Sequence, residues 1–155
     1  MRKQFMLTLL CISLFSSLSF AQNMGSDYQT AIGVKIWNGA GLTAKHFLKE
    51  NAALEGIAYF WKEGIRISGL YEFHFPLGTE PGLQWYVGPG AHIGFYGSDY
   101  GNGTYIGLDG VIGIDYKIRN APLNFSLDWQ PTIEFGDGRG FYGGWGGLGI
   151  RYTLQ

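Results

Sequence analysis

The sequence predicts an all-β fold: an eight-stranded antiparallel up-and-down transmembrane β-barrel with a polar interior filled by side chains. Three observations predict it. From residue 28 onward polar and apolar residues alternate with period two, in runs separated by Gly, Pro, Asn and Asp. Glycine is abundant, at 26 of 155 residues, and aromatic residues make up 17% of the chain. Only 15% of residues are Asp, Glu, Lys or Arg, against roughly 25% in an ordinary soluble domain. The length allows one domain. The aromatic content excludes a disordered chain, and a net charge of −1 with no basic run argues against a nucleic-acid partner.

Residues 1–21 read as a secretory signal peptide, leaving 22–155 as a single barrel domain. Arg2 and Lys3 supply the positive start, and Phe5 to Phe15 is an apolar core interrupted by Thr8, Cys11 and Ser13. Ser19-Phe20-Ala21 places small residues at the −3 and −1 positions of a cleavage site. The apolar core is too short for a spanning helix, which needs about 20 residues. A lipoprotein signal would use Cys11, but Thr8-Leu9-Leu10 lacks the small residues such a site requires. Cleavage after Ala21 removes the only cysteine, so no disulfide can hold the domain.

Eight runs follow as candidate strands: 28–38, 41–48, 53–61, 65–75, 82–96, 104–118, 122–130 and 143–154. Each is about as long as a tilted membrane strand requires, 9–11 residues. The second and third are the least regular. Residues 42–55 contain good helix formers, so a short helix is the alternative there, and Glu55 shares its phase with Ile57 and Tyr59. In the fourth, Arg66, Ser68, Glu72 and His74 alternate with Ile65, Ile67, Tyr71 and Phe73. The fifth contains Pro89, which cannot donate to a ladder, and predicts a bulge between Gly88 and Gly90. The sixth opposes Asp109, Asp115 and Lys117 to Leu108, Ile112, Ile114 and Tyr116. In the seventh, Asn124, Ser126, Asp128 and Gln130 alternate with Leu123, Phe125, Leu127 and Trp129, and Pro131 ends it. The eighth sets Arg151 and Thr153 against Leu148, Ile150, Tyr152 and Leu154.

Alternation does not say which face is inside. A soluble periplasmic lipocalin-like binder has its apolar face within and would expose Arg66, Glu72, Asp109 and Asp128. Three features favour the opposite phase. Glycines lie on the polar face (Gly88, Gly90, Gly94, Gly113, Gly147 and Gly149), where a narrow interior filled by long side chains needs gaps. Five cations on that face, Lys35, Lys45, Arg66, Lys117 and Arg151, match five anions, Glu55, Glu72, Asp109, Asp115 and Asp128. Such balance is what a water-poor interior requires. Aromatics of the apolar face gather toward the strand ends, with Tyr71, Phe73, Trp85, Tyr116, Phe125 and Tyr152 at one rim and Phe60, Phe95 and Trp129 at the other. The implied setting is the outer membrane, with lipid against the apolar face and no open diffusion channel.

Over residues 28–154 the chain resembles the small outer-membrane β-barrel (porin-like) family of Gram-negative envelopes, of the OmpX and OmpA membrane-domain type. The resemblance rests on the signal peptide, the eight runs, and segments such as GLQWYVGPGAHIGFY and YIGLDGVIGIDYKI. It implies a cell-surface protein inserted by the barrel-assembly machinery, with a structural or surface-interaction role. Family members commonly end in an aromatic residue, whereas this chain ends Tyr152-Thr153-Leu154-Gln155.

A lipid-modifying enzyme, akin to the lipid A acyltransferases and deacylases, is the alternative within that resemblance. It would need a His, a Ser and an acid to converge, and His92, Ser98 and Asp99 lie toward one rim. A His-x-Ser pair on one strand is missing, because Pro76 follows His74 at that spacing and Ala44 and Leu48 flank His46. The residues therefore predict no catalytic, cofactor or metal site. The Asp and Asn oxygens of 97–103 are ordinary turn chemistry. Gly136 to Gly149 lacks the Lys-Ser/Thr ending of a phosphate loop. The longest connections, 97–103 and 131–142, are expected outside the cell, where their aromatics offer a surface for an extracellular partner.

Overall fold

The structure, a computed structural model, describes residues 28–98, 103–137 and 139–154. The proposed signal peptide, Asp99 and Gln155 lie outside them. Eight strands run β1 (Thr30–Ile36), β2 (Ala40–Lys49), β3 (Ala52–Trp61), β4 (Gly64–Pro76), β5 (Leu83–Tyr96), β6 (Gly103–Lys117), β7 (Leu123–Phe135) and β8 (Phe141–Leu154). Each pairs antiparallel with its chain neighbours, and β1 pairs with β8 from Thr30–Leu154 to Ile36–Leu148, closing the barrel. Closure satisfies the edges that an open sheet would leave unpaired. The strands are strongly tilted. Successive partners Ile36, Leu148, Leu127, Ile114, Trp85 and Phe75 lead from the last residue of β1 to the opposite end of β4. Among the described residues no helix is long and apolar enough to cross a membrane.

Both ends of the barrel chain, Thr30 and Leu154, meet at one rim, here the terminal rim. The described residues of the other connections, 37–39, 62–63, 97–98, 136–137 and 139–140, lie at the opposite, distal rim. The 42–55 segment is strand, turn and strand rather than helix, with Lys45 paired to Glu55 across β2 and β3. Alternation there outweighs helix propensity because it places Lys45 and Glu55 inside together.

Two expectations about proline are corrected. Pro89 makes no bulge: it pairs in register with Gly110 on β6, and the β4–β5 pairing lapses at Tyr71 and Glu72 and resumes unshifted at Leu70 and Gly90. Its missing donor interrupts a ladder without displacing a strand. Pro131 does not end β7, which continues to Phe135. Here the register shifts, between Gln130 and Thr132, and the bulge accommodates the missing donor. Gly146, at φ 150°, faces Trp129 beside this irregularity in a conformation side chains rarely adopt. The longer β7 shrinks the expected 131–142 loop to 136–140.

The polar side of every strand faces inward. Arg66, Glu72, Asp109 and Asp128, which the lipocalin phase would expose, are all buried. The outward face carries Leu42, Ile106, Leu108, Ile112, Leu127 and Ile133, each about half exposed. Interior glycines make room for large neighbours. A Cβ on Gly113 would sit 2.5 Å from the Asp128 Cβ and 2.8 Å from the Tyr86 ring, and one on Gly149 would sit 2.5 Å from the Ser126 hydroxyl.

Candidate functional site: an aromatic vestibule above buried ion pairs

Toward the terminal rim the interior is a dense set of ion pairs. The Lys45 ammonium lies 2.8 Å from Glu72 and 3.1 Å from Asp115. Lys35 lies 2.5 Å from Asp128, which also accepts the Tyr86 hydroxyl at 2.6 Å. Arg151 is the hub. It pairs with Glu55 and donates to Ser126 at 2.8 Å, Asn124 at 3.1 Å and Thr43 at 3.2 Å. His74 bridges Glu72 and Gln84 at 2.9 and 3.1 Å. Alternation on all eight strands supplies these groups, and barrel closure brings β8 near β2 and β3 so that Arg151 meets Thr43 and Glu55.

An apolar layer caps this set on the β3–β6 side. Ile57, Leu70 and Val111, with Tyr59 and Tyr86, form one buried cluster. Ile57 lies between Glu55 and Tyr59, Leu70 between Ser68 and Glu72, and Val111 between Asp109 and Gly113, always on the inward phase. Leu70 and Val111 are apolar residues on the face read as polar; the phase of their neighbours already pointed inward.

Above it lies a second, smaller set. Arg66 pairs with Asp109 at 2.7 Å. His92 Nδ1 lies 2.8 Å from Asp109 and 3.2 Å from the Thr132 hydroxyl, and its Nε2 lies 3.3 Å from Glu134. Glu134 also accepts the Tyr96 hydroxyl and lies 3.5 Å from Arg139. Glu134 does not stand out in the sequence, because Pro131 marks a strand end there while β7 in fact continues past it to Phe135.

The expected five-against-five pairing is corrected at two places. Lys117 pairs with no carboxylate among the described residues; its ammonium donates to the carbonyls of Ile118 and Ala121 at 2.6 and 2.8 Å, capping the 118–122 turn. Glu134 joins the acids instead. Tyrosine hydroxyls offset the resulting surplus of anions: Tyr28 donates to Asp115, Tyr86 to Asp128 and Tyr96 to Glu134. A neutral donor satisfies a carboxylate without a second buried charge.

At the distal rim the filling stops and a cavity of about 550 Å³ opens. Tyr59, Trp61, Tyr96 and Trp145 form its walls, and Trp37 and Phe141 stand exposed at its mouth. Trp61 and Trp145 meet edge-on at 5.1 Å and 70°, and Tyr59 lies 5.5 Å from Trp145. Arg66 packs over Trp145 at 4.3 Å. The Trp37 indole donates to the Gly144 carbonyl at 3.0 Å, tying the first distal turn to β8. Glu134 and Arg139 supply a facing pair of opposite charges, with Asn38 and Glu63 from the adjoining turns. The Tyr105 side chain holds the Arg139 guanidinium above its ordinary pKa, so its charge is constant.

The structure does not assemble the His92, Ser98 and Asp99 combination as a described group. His92 is buried against Asp109, Thr132 and Glu134, Ser98 is exposed beyond the end of β5, and Asp99 lies outside the described residues. Among the described residues no set of three or more His, Cys, Asp or Glu is placed to hold a metal ion. No family model, no characterised protein and no solved structure matches this chain.

Proposed function

We propose that this chain is a non-enzymatic outer-membrane β-barrel protein of the small porin-like type, with an envelope-structural or surface-interaction role and no open diffusion pore. The inverted polarity of the barrel carries the reading. Lys35, Lys45, Arg66 and Arg151 are fully buried within the strands, while a continuous set of Ile, Leu, Val and aromatic side chains faces outward. Exposing that surface to water would be costly, at roughly 25 cal/mol per Å² of apolar area, and hydrocarbon removes the cost.

The rims support the same placement. Phe73, Phe75 and Tyr152 face outward near the terminal rim, and Phe60, Phe95, Phe135 and Phe141 near the distal one, as interfacial girdles do. Thr30 and Leu154, the two ends of the barrel chain, share the terminal rim, which fits a periplasmic side there and a vestibule opening outside the cell. The packed ion pairs and apolar layer favour a plugged bore. Lipid is then the principal partner, and the barrel-assembly machinery the route of insertion.

The test is electrophoretic mobility, cold against boiled, of protein taken from the outer-membrane fraction. A folded spanning barrel resists detergent until heated and shifts on boiling. Soluble periplasmic protein with no shift overturns the proposal. Unaltered lipid A in cells carrying His92→Ala is expected, and altered lipid A would revive the enzyme alternative.

A further inference from the structure

We propose that the distal vestibule is a binding site for a neutral saccharide, taking one or two pyranose rings. The inference does not depend on the membrane placement, because the barrel rim alone forms the site. Its volume of about 550 Å³ falls in the range of small-molecule sites, roughly 300–1,000 Å³.

A pyranose presents apolar C–H faces and a polar edge of hydroxyls, and the vestibule offers both complements. Trp61 and Trp145, inclined at 70°, form a corner with Tyr59 beside it, so a pyranose in the cavity would be bordered by aromatic side chains on more than one side. Glu134 and Arg139 give an acceptor and a fork of donors on the same cavity wall.

The charges select against other ligand classes. Glu134 and Arg139 lie 3.5 Å apart and offset each other, which favours a neutral guest over an anion. Two cations already stand beside the aromatic walls, Arg66 by Trp145 at 4.3 Å and Arg139 by Tyr96 at 5.2 Å, so a quaternary ammonium would meet like charge that a neutral sugar does not. A wholly apolar guest would leave the Glu134 and Arg139 charges against a surface with no polar group to meet them. Size excludes a folded partner from a cavity of about 550 Å³.

The test is titration of the folded barrel with methyl glucoside, N-acetylglucosamine, maltose and cellobiose. Tryptophan emission and saturation-transfer NMR are the readouts, with choline and acetate as controls. At least one sugar should saturate in the millimolar range. Affinity should fall roughly tenfold or more in Trp37→Ala and in Trp145→Leu, with the heat-dependent mobility shift retained. Trp37 is exposed, so Trp37→Ala decides the matter if Trp145→Leu does not fold. Three results overturn the proposal: no saturable response to any sugar, sugar affinity unchanged in Trp37→Ala, or saturation by choline or acetate alone. A lost mobility shift in the unsubstituted protein would instead count against the membrane reading and leave sugar binding to stand on its own data.

Discussion

The two halves of the barrel interior solve the same problem differently. Toward the terminal rim, Lys35, Lys45 and Arg151 interlock with Glu55, Glu72, Asp115 and Asp128. Toward the distal rim, a single buried arginine, Arg66, serves Asp109, and His92, Tyr96 and Arg139 share Glu134. The first arrangement interlocks several cations and anions; the second gives way to aromatic rings and an open cavity. The difference teaches where the barrel is structural and where it has room for a guest. A closed cage of charges stabilises only when complete, whereas a looser set beside open space can rehydrate when disturbed.

Removing the hub should break the cage. Arg151→Leu takes the nearest cation from Glu55, which keeps the Thr43 hydroxyl and the longer contacts to Lys35 and Lys45 at 3.5 and 3.8 Å; it is expected to cost about 3–5 kcal/mol, read from urea unfolding of the barrel in detergent. Adding Glu55→Leu should recover at least half of that loss, since Lys35 retains Asp128 and Lys45 retains Glu72 and Asp115. No recovery would mean that Arg151 acts through Ser126 and Asn124 rather than through Glu55.

The distal half should yield less. Arg66→Leu leaves Asp109 with His92, and water can enter from the vestibule, so a cost of about 1–3 kcal/mol is expected in the same assay. A loss equal to that of Arg151→Leu would erase the distinction between the halves.

Packing sharpens the contrast between inside and outside. Gly113→Ala drives a methyl group into Asp128 and Tyr86 and should cost about 1–3 kcal/mol. Gly69→Ala, with no atom within 4 Å of the added carbon, should be neutral or stabilise by up to about 1 kcal/mol. Smallest of all, Trp37→Ala should alter stability by less than about 0.5 kcal/mol, because its ring is exposed at the mouth.

Much of this architecture was legible residue by residue. The polar phase of 65–75 and 104–118 located Arg66, Glu72, Asp109 and Asp115 inside, and the interior glycines stood where long side chains pass. Pro131 misled, because a missing N–H reads as a strand end when the neighbouring register is unknown. That error concealed Glu134 and turned part of β7 into an apparent loop. Lys117 misled differently: its phase was right, but its partners are turn carbonyls of its own neighbourhood.

Residue order alone sets the strands and their inward faces, because the two-residue repeat of an extended chain ties each side chain's direction to its position. It also determined the chemistry available to each face. Which groups meet was decided only by closure and tilt. Arg151 reaches Glu55, 96 positions away, because β8 seals against β1, and Trp37 reaches Gly144 across the same seam. The vestibule exists for the same reason: its walls come from strands and turns throughout the chain, and only the closed, staggered barrel makes them neighbours.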